Sequence, residues 1–197
     1  SELAEKIKDA DAVIVRILDL AAEVICDAPR LKIIAKHGVG LDNIDLNAAK
    51  EAGVAVTVTP NANSLSVAEH AVSLMMALSK NIPHVPNQYR EIGFAAKNCP
   101  PGVEVSGKTL GIIGCGQIGS RVAKIAAGGF GMKVLVYDPY ISEVPQGCEL
   151  ISDRDRIFKE SDFITLHCAL CQETFHSVGK REFDMMKQDV IFINCGR

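Results

Sequence analysis

The 197-residue chain reads as an α/β protein built on parallel sheets, and three features predict it. Short Val- and Ile-rich runs alternate with longer helix-patterned segments, the order that gives parallel strands joined by right-handed crossovers. A glycine-rich turn, Gly114-Cys-Gly-Gln-Ile-Gly119, follows one of these runs and opens a helix. An acid, Asp138, ends the next run, Lys133-Val-Leu-Val-Tyr137.

In chain order, a strand is expected over residues 12–17, a short helix over 21–28, and a second strand over 31–35 that runs into His37-Gly-Val-Gly40. A helix over 45–53 takes Asp45 as its N-cap and Gly53 as its stop. A third strand over 54–59 ends at Pro60, which cannot donate to a ladder. Ser66-Val-Ala-Glu69 fits a capping box and predicts the start of a long helix, interrupted at Pro83. On that helix Val67, Ala71, Leu74, Met75 and Leu78 have the spacing of a buried face, with an interface as the alternative use of its Met pair. Residues 98–103, Asn-Cys-Pro-Pro-Gly-Val, have the composition of a linker.

The second segment is expected to hold strands over 109–113, 133–137, 163–167 and 190–195, with a short fifth over 148–152. Helices fall at 118–128, 154–160 and 180–187. These elements divide the chain into residues 1–68, a helix and linker over 69–100, and a second domain over 101–197.

Strand, glycine turn, helix, strand and acid together form the layout that holds a dinucleotide. Gly114 permits the tight turn, Gly116 lets the backbone approach a pyrophosphate, and Gly119 lets the helix pack closely on the sheet. The helix beginning near Gln117 points its positive end at the phosphates. A carboxylate at Asp138 accepts hydrogen bonds from a ribose diol and repels a 2′-phosphate, so the expected cofactor is NAD rather than NADP.

The net charge of −3 gives no electrostatic footprint for nucleic acid or an anionic membrane surface. No apolar run approaches the ~20 residues that span a bilayer, and the opening residues lack the pattern of a signal peptide. Seven cysteines is an odd number, and Cys115, Cys168, Cys171 and Cys195 lie in or beside expected strands. That favours reduced thiols in a cytoplasmic protein over a disulfide framework. Cys168-Ala-Leu-Cys171 has the spacing of a metal or redox motif, but no second pair accompanies it, so two loop thiols and no metal are expected. His70 and His167 read as structural, His84 and His176 as exposed, and His37 either as a loop residue or as a substrate neighbour.

Five phrases occur in a particular order: His37-Gly-Val-Gly-Leu-Asp-Asn-Ile-Asp45, Asn63-Ser-Leu-Ser-Val-Ala-Glu-His70, Gly111-Ile-Ile-Gly-Cys-Gly-Gln-Ile-Gly119, Val136-Tyr-Asp-Pro-Tyr140 and Ile193-Asn-Cys-Gly-Arg197. With them the chain resembles the D-isomer-specific 2-hydroxyacid dehydrogenases, most of all the branch acting on 3-phosphoglycerate. The resemblance implies a Rossmann-type NAD domain joined to part of a flavodoxin-like substrate domain. It also implies hydride transfer between NAD and C2 of a small 2-hydroxy or 2-keto acid, by a homodimer. Hydroxypyruvate and glyoxylate are the alternative substrates. An NAD-sensing corepressor-like module, which the superfamily also contains, is the alternative outside enzymology.

Carried over by position, the resemblance implies that Val39 and Gly40 offer N–H groups to the substrate carboxylate. Lys36, where the family often has Arg, meets a substrate phosphate, and Thr59 lies near the nicotinamide. Gln117 and Ile118 touch the pyrophosphate, Asp138 the adenosine ribose, and Cys168, Cys195 and Gly196 line the cofactor. Arg197 matches the catalytic arginine, whose guanidinium grips a carboxylate bidentately and polarises the keto oxygen. The family's proton-transferring His and its partner Glu lie beyond that arginine, and none of the five histidines here occupies the place. The chain is therefore expected to be a fragment, also short of the family's first strand and helix, and to show no turnover on its own. Keto-acid reduction by this chain alone would contradict that expectation.

Overall fold

The structure is a computed structural model that describes residues 2–98 and 101–196. Its contacts fall into two compact units, Ser1–Asn63 and Ser64–Arg197.

The first unit runs α1 (Glu2–Ile7), β1 (Ala12–Val15), α2 (Ala22–Cys26), β2 (Ile33–Lys36), α3 (Leu46–Glu51) and β3 (Ala55–Thr57). The three strands pair in parallel in the order β1-β2-β3. Leu20, Ile25, Ile34 and Ala49 are buried at the centre of its core. Asp45 caps α3 as expected, accepting the Ala48 N–H at 2.9 Å, and Gly53 leaves the helix at φ 71°. The second strand starts later than the sequence suggests. Leu31 instead closes the turn after α2, donating its N–H to the Ala28 carbonyl at 3.0 Å.

The second unit holds α4 (Ser64–Ser79), α5 (Val85–Ile92), a 3₁₀ segment (Gly93–Asn98), β4 (Thr109–Ile113) and α6 (Gln117–Lys124). A π-helical turn (Ile125–Gly129) prolongs α6, and then come β5 (Lys133–Tyr137), β6 (Cys148–Leu150), α7 (Asp155–Glu160), β7 (Phe163–Leu166), α8 (Lys180–Met185) and β8 (Ile191–Asn194). All five strands are parallel, in the order β6-β5-β4-β7-β8. The chain leaves β4 to build one side, then returns to build the other from β7. The boundary between β4 and β7 is thus a topological switch point, where open α/β sheets take their ligands.

Both faces of this sheet are covered, which is why its strands read as unbroken apolar runs rather than alternating ones. Leu110, Ile112, Val134 and Val136 point to one side and pack with Ala71 and Met75 of α4 and Val122 and Ala123 of α6. Ile113, Leu135 and Ile164 point to the other and pack with Ile157 and Phe158 of α7.

Three expectations need correction. The long helix starts at Ser64, so Ser66 and Glu69 lie inside it and form no capping box. Its buried stripe is Ser64, Ala68, Ala71, Met75 and Ser79: Ala71 and Met75 are buried as expected, while Val67 and Leu74 are only partly buried and Leu78 is exposed. Small residues face inward because α4 must come close to α6. The sequence reading also lacked α1, α5 and the 3₁₀ segment. No residue of α5 is buried; its apolar residues Val85, Tyr89 and Ile92 keep helical spacing, but the element is short and follows Pro83. The segment around Gly102 packs against the end of α4, where a Cβ would sit 2.6 Å from the Ser79 carbonyl oxygen.

Gly111 lies in the middle of β4 because α7 crosses it tightly: a Cβ there would collide with Ser161 Oγ and come within 2.7 Å of Ile157 Cγ2. Gly111→Ala should therefore lower unfolding free energy by about 1–3 kcal/mol, the usual cost of overpacking. Urea denaturation reads this directly, and an unchanged midpoint would contradict the close approach of α7.

Candidate functional site

The carboxyl ends of β4, β5, β7 and β8 gather most of the residues expected in the cofactor site. β4 ends at Gly114, whose φ of 88° belongs to the left-handed region that glycine adopts freely. A Cβ at Gly114 would lie 2.6 Å from the Cys168 nitrogen, because the turn passes directly against the chain leaving β7. A Cβ at Gly119 would collide with the Gly114 carbonyl oxygen. These two glycines are required by the protein itself.

Gly116 differs. It is the N-cap of α6, with φ −69° and ψ −151°, a conformation open to any residue. A Cβ there meets no protein atom within 4 Å. Nothing in the fold asks for glycine at this position, whereas a backbone that must approach a pyrophosphate does. Gln117, Ile118 and Gly119 form the first turn of α6, where helical N–H groups lack intrahelical acceptors and favour an anion.

Asp138 follows β5 and is half-buried beside this turn. Its Oδ2 accepts the Cys115 N–H at 2.8 Å and its Oδ1 accepts the Tyr140 N–H at 3.0 Å. An ionised carboxylate has about four lone-pair sites, so two such bonds leave capacity for the hydroxyls of a ribose. Tyr140 is exposed, and its hydroxyl donates to Glu173 on the loop after β7. That bond raises the Tyr140 pKa and keeps the phenol a donor. Neither residue was singled out from the sequence. Their only signal is position, Tyr140 two residues after the acid and Glu173 in a loop without regular structure.

Between the ends of β7 and β8 lies a cavity of about 280 Å³, with Cys168, Leu170, Phe175, Asn194 and Gly196 among its lining residues. Cys168 and Gly196 are neighbours here, since a Cβ on Gly196 would sit 3.7 Å from the Cys168 carbonyl oxygen. Burial pushes the thiols of Cys168 and Cys195 up, and pushes Cys115 up to about 11, so all three stay protonated at neutral pH. Burial likewise lowers His167 to about 4, and the neutral ring pairs with Thr165 Oγ1 at 3.0 Å. Among the described residues no group of three His, Cys, Asp or Glu could hold a metal ion.

The remaining candidates belong to the first unit. Val39 and Gly40 follow β2, and Val39 is half exposed. Thr59 is tied to the same loop, its Oγ1 accepting the Gly38 N–H at 2.9 Å and its N–H donating to the Gly38 carbonyl at 3.0 Å. Lys36 is placed otherwise than expected. It is 1 % exposed, and its ammonium donates to the Arg16 carbonyl at 2.6 Å and to Asn43 Oδ1. Asn43 in turn donates to the Leu18 carbonyl at 2.6 Å, so the buried charge pins two loops together rather than facing a phosphate. Arg197 lies outside the described residues.

Residues 72–197 match the family described as D-isomer specific 2-hydroxyacid dehydrogenase, NAD binding domain. The chain belongs to this family. Over its whole length it is 44% identical to D-3-phosphoglycerate dehydrogenase of Methanocaldococcus jannaschii and covers 38% of that protein. It is 43% identical to hydroxypyruvate reductase of Thermotoga maritima and covers 63% of it. Among solved structures, D-lactate dehydrogenase of Aquifex aeolicus complexed with NAD and lactic acid is similar at TM-score 0.88 and 36% identity, over 97% of this chain and 58% of that one. The NAD+-bound 3-phosphoglycerate dehydrogenase of Entamoeba histolytica is similar at TM-score 0.84 and 34% identity, over 100% of this chain and 59% of that one. The chain thus spans less than two thirds of the length of the relatives it matches. Its second unit carries the family's NAD-binding domain, and NAD is the cofactor. The open Cβ position at Gly116 and the spare acceptor capacity of Asp138 fit that group.

The glycines separate fold from function experimentally. Gly116→Ala should leave the urea midpoint nearly unchanged yet weaken NADH binding about tenfold or more. Gly119→Ala should lose roughly 2 kcal/mol or more of stability from its collision with Gly114. Equal destabilisation by both, or unaltered NADH affinity in Gly116→Ala, would contradict the assignment.

Proposed function

We propose that this chain is part of an NAD-dependent dehydrogenase that moves hydride between the cofactor and C2 of a D-2-hydroxy acid or its keto acid. The observation that carries this reading is the hydrogen bond from the Cys115 N–H to Asp138 Oδ2, at 2.8 Å, which fixes a diol-binding carboxylate beside a phosphate-binding turn. Gly114, Gly116 and Gly119 shape that turn, and Gln117 and Ile118 offer N–H groups to the pyrophosphate. Asp138 holds the adenosine ribose, while Cys168, Cys195 and Gly196 line the cofactor and Thr59 serves its nicotinamide end.

Bound NAD supplies the hydride acceptor, and reduced NAD the donor. Val39 and Gly40 donate backbone N–H bonds to the substrate carboxylate from a loop whose shape Thr59 and the buried Lys36 maintain. Arg197 grips the same carboxylate and stabilises negative charge on the oxygen at C2 as hydride arrives. Cys168, the thiol in the cavity lining, is held protonated by burial and so presents no anionic sulfur there. The first unit, ending at Asn63, is part of the substrate domain in this reading.

3-Phosphoglycerate is the substrate we favour, supported by 44% identity to a 3-phosphoglycerate dehydrogenase over the whole chain. Hydroxypyruvate and glyoxylate are the competing substrates, supported by the similarity to a hydroxypyruvate reductase and by 37% identity to glyoxylate reductase of Korarchaeum cryptofilum. A phosphate contact through Lys36 is not part of the proposal, because that ammonium is already engaged. We place the enzyme in the cytoplasm, on its free thiols, and as a homodimer, on the exposed Tyr89, Ile92 and Phe94 along α5 and the segment after it. No helix among the described residues is long and apolar enough to cross a membrane.

The test is a steady-state assay of the enzyme carrying this segment, with NADH and the keto acids of 3-phosphoglycerate, glycerate, glycolate and lactate. The phosphorylated keto acid should give the highest kcat/KM, by about tenfold or more. Preference for hydroxypyruvate or glyoxylate would replace the substrate assignment, and no reduction of any of them would overturn the proposed reaction.

A further inference from the structure

In the second sheet β4 lies between β5 and β7, so the loops that leave these strands are neighbours at the carboxyl edge. Two contacts tie them together close to the strand ends. Asp138, directly after β5, accepts the Cys115 N–H of the glycine turn, and Gly114 lies against the backbone of Cys168, just after β7. A third connection joins the two outer loops directly. The Tyr140 hydroxyl, from the loop after β5, donates to the Glu173 carboxylate, in the loop after β7. Both partners stand further along their loops than the residues of the first two contacts. Neither has a part in hydride transfer.

The two ends of this bridge differ in freedom. Glu173 sits in a loop fixed by Thr174, whose hydroxyl donates to the Ala169 carbonyl at 2.6 Å and accepts the Cys171 N–H at 2.8 Å. The Phe175 N–H closes the same turn on the Cys171 carbonyl at 2.8 Å. The Tyr140 backbone is held too, by Pro139 before it and by its N–H bond to Asp138 at 3.0 Å. Its side chain is the part that can move. Tyr140 is 77 % exposed, so the ring gives up little packing when it swings into solvent. A hydrogen bond to a charged acceptor holds it across the gap.

We propose that the Tyr140–Glu173 hydrogen bond is a latch across the cofactor groove, closed in the free protein and open when NAD is bound. This rests on the NAD-site reading above. A dinucleotide held at Asp138 after β5 and at the cavity between β7 and β8 has to cross the end of β4. The latch crosses the same gap. Cofactor and closed latch therefore exclude each other. Exposed side chains change rotamer far faster than a dilute cofactor arrives, so the latch is a rapid equilibrium that precedes binding. It lowers the on-rate and the affinity by the fraction of time the groove is open, and leaves the off-rate alone.

Stopped-flow fluorescence of NADH binding to the 197-residue chain tests this, with Tyr140→Phe, Glu173→Ala and the double variant set beside the parent. Phenylalanine keeps the ring and removes only the hydroxyl, so any stacking of the ring on the cofactor is preserved. Tyr140→Phe should raise the on-rate about fivefold, tighten Kd by the same factor and leave the off-rate unchanged. Glu173→Ala should do the same. The double variant should gain nothing further, because either change alone releases the latch. Both side chains are exposed, and equal urea midpoints should show each protein equally folded. An unchanged on-rate in Tyr140→Phe overturns the latch, as does an effect confined to the off-rate. So does a double variant whose gain is the product of the two single gains, since Glu173 would then act on the anionic cofactor only through its charge. If neither the parent nor Tyr140→Phe binds NADH, the NAD-site reading falls and the latch with it; every other outcome leaves that reading standing.

Discussion

Asp138 closes the geometry on which the second unit depends. By accepting the Cys115 N–H through one oxygen and the Tyr140 N–H through the other, it locks the end of β5 to the turn that follows β4. The turn itself tolerates no slack, since Gly114 is pressed against the chain leaving β7 and Gly119 against Gly114. The glycine turn and the end of β5 are therefore held together by one short side chain bonded to two backbone N–H groups. Such preorganisation lowers the ordering cost of binding a long cofactor. The sheet order supplies the rest, placing all of this at the switch point where the strand ends diverge.

The polar groups around the site follow one electrostatic pattern. Burial holds Cys115 and Cys195 as thiols and His167 as a neutral ring. The half-buried Asp138 carboxylate is satisfied by backbone donors. The first unit solves a similar problem differently, burying a lysine whose ammonium donates to a carbonyl and an amide oxygen. An unpaired buried ammonium would be very costly, so those acceptors are part of the structure and not incidental neighbours.

Much of this was legible in the sequence where local chemistry and fold agree. β4 and β5 were read to the residue because both are buried on two faces and bounded by glycines or charges. The Asp45 cap and Gly53 stop were legible for the same reason. What escaped was set by packing. The buried stripe of α4 is shifted because helix proximity selects Ala68 and Ser64 over Val67 and Leu78. α5 is short, follows Pro83 and buries nothing, so its Val85–Tyr89–Ile92 spacing gave no core face to read, and the burial of Lys36 depends on Asn43 arriving from a separate loop. In the site, the glycines were legible as a motif, but only the structure distinguishes Gly116, which the fold does not need, from its neighbours.

The central claim is that Asp138 and the glycine turn form one dinucleotide site selective for an unphosphorylated ribose. It is tested most directly by titrating this chain with NADH and, separately, NADPH, following cofactor fluorescence against the low background of a protein without tryptophan. The account predicts saturable binding of NADH and binding of NADPH at least about tenfold weaker, from repulsion between the Asp138 carboxylate and the 2′-phosphate. Equal affinity for the two would contradict it.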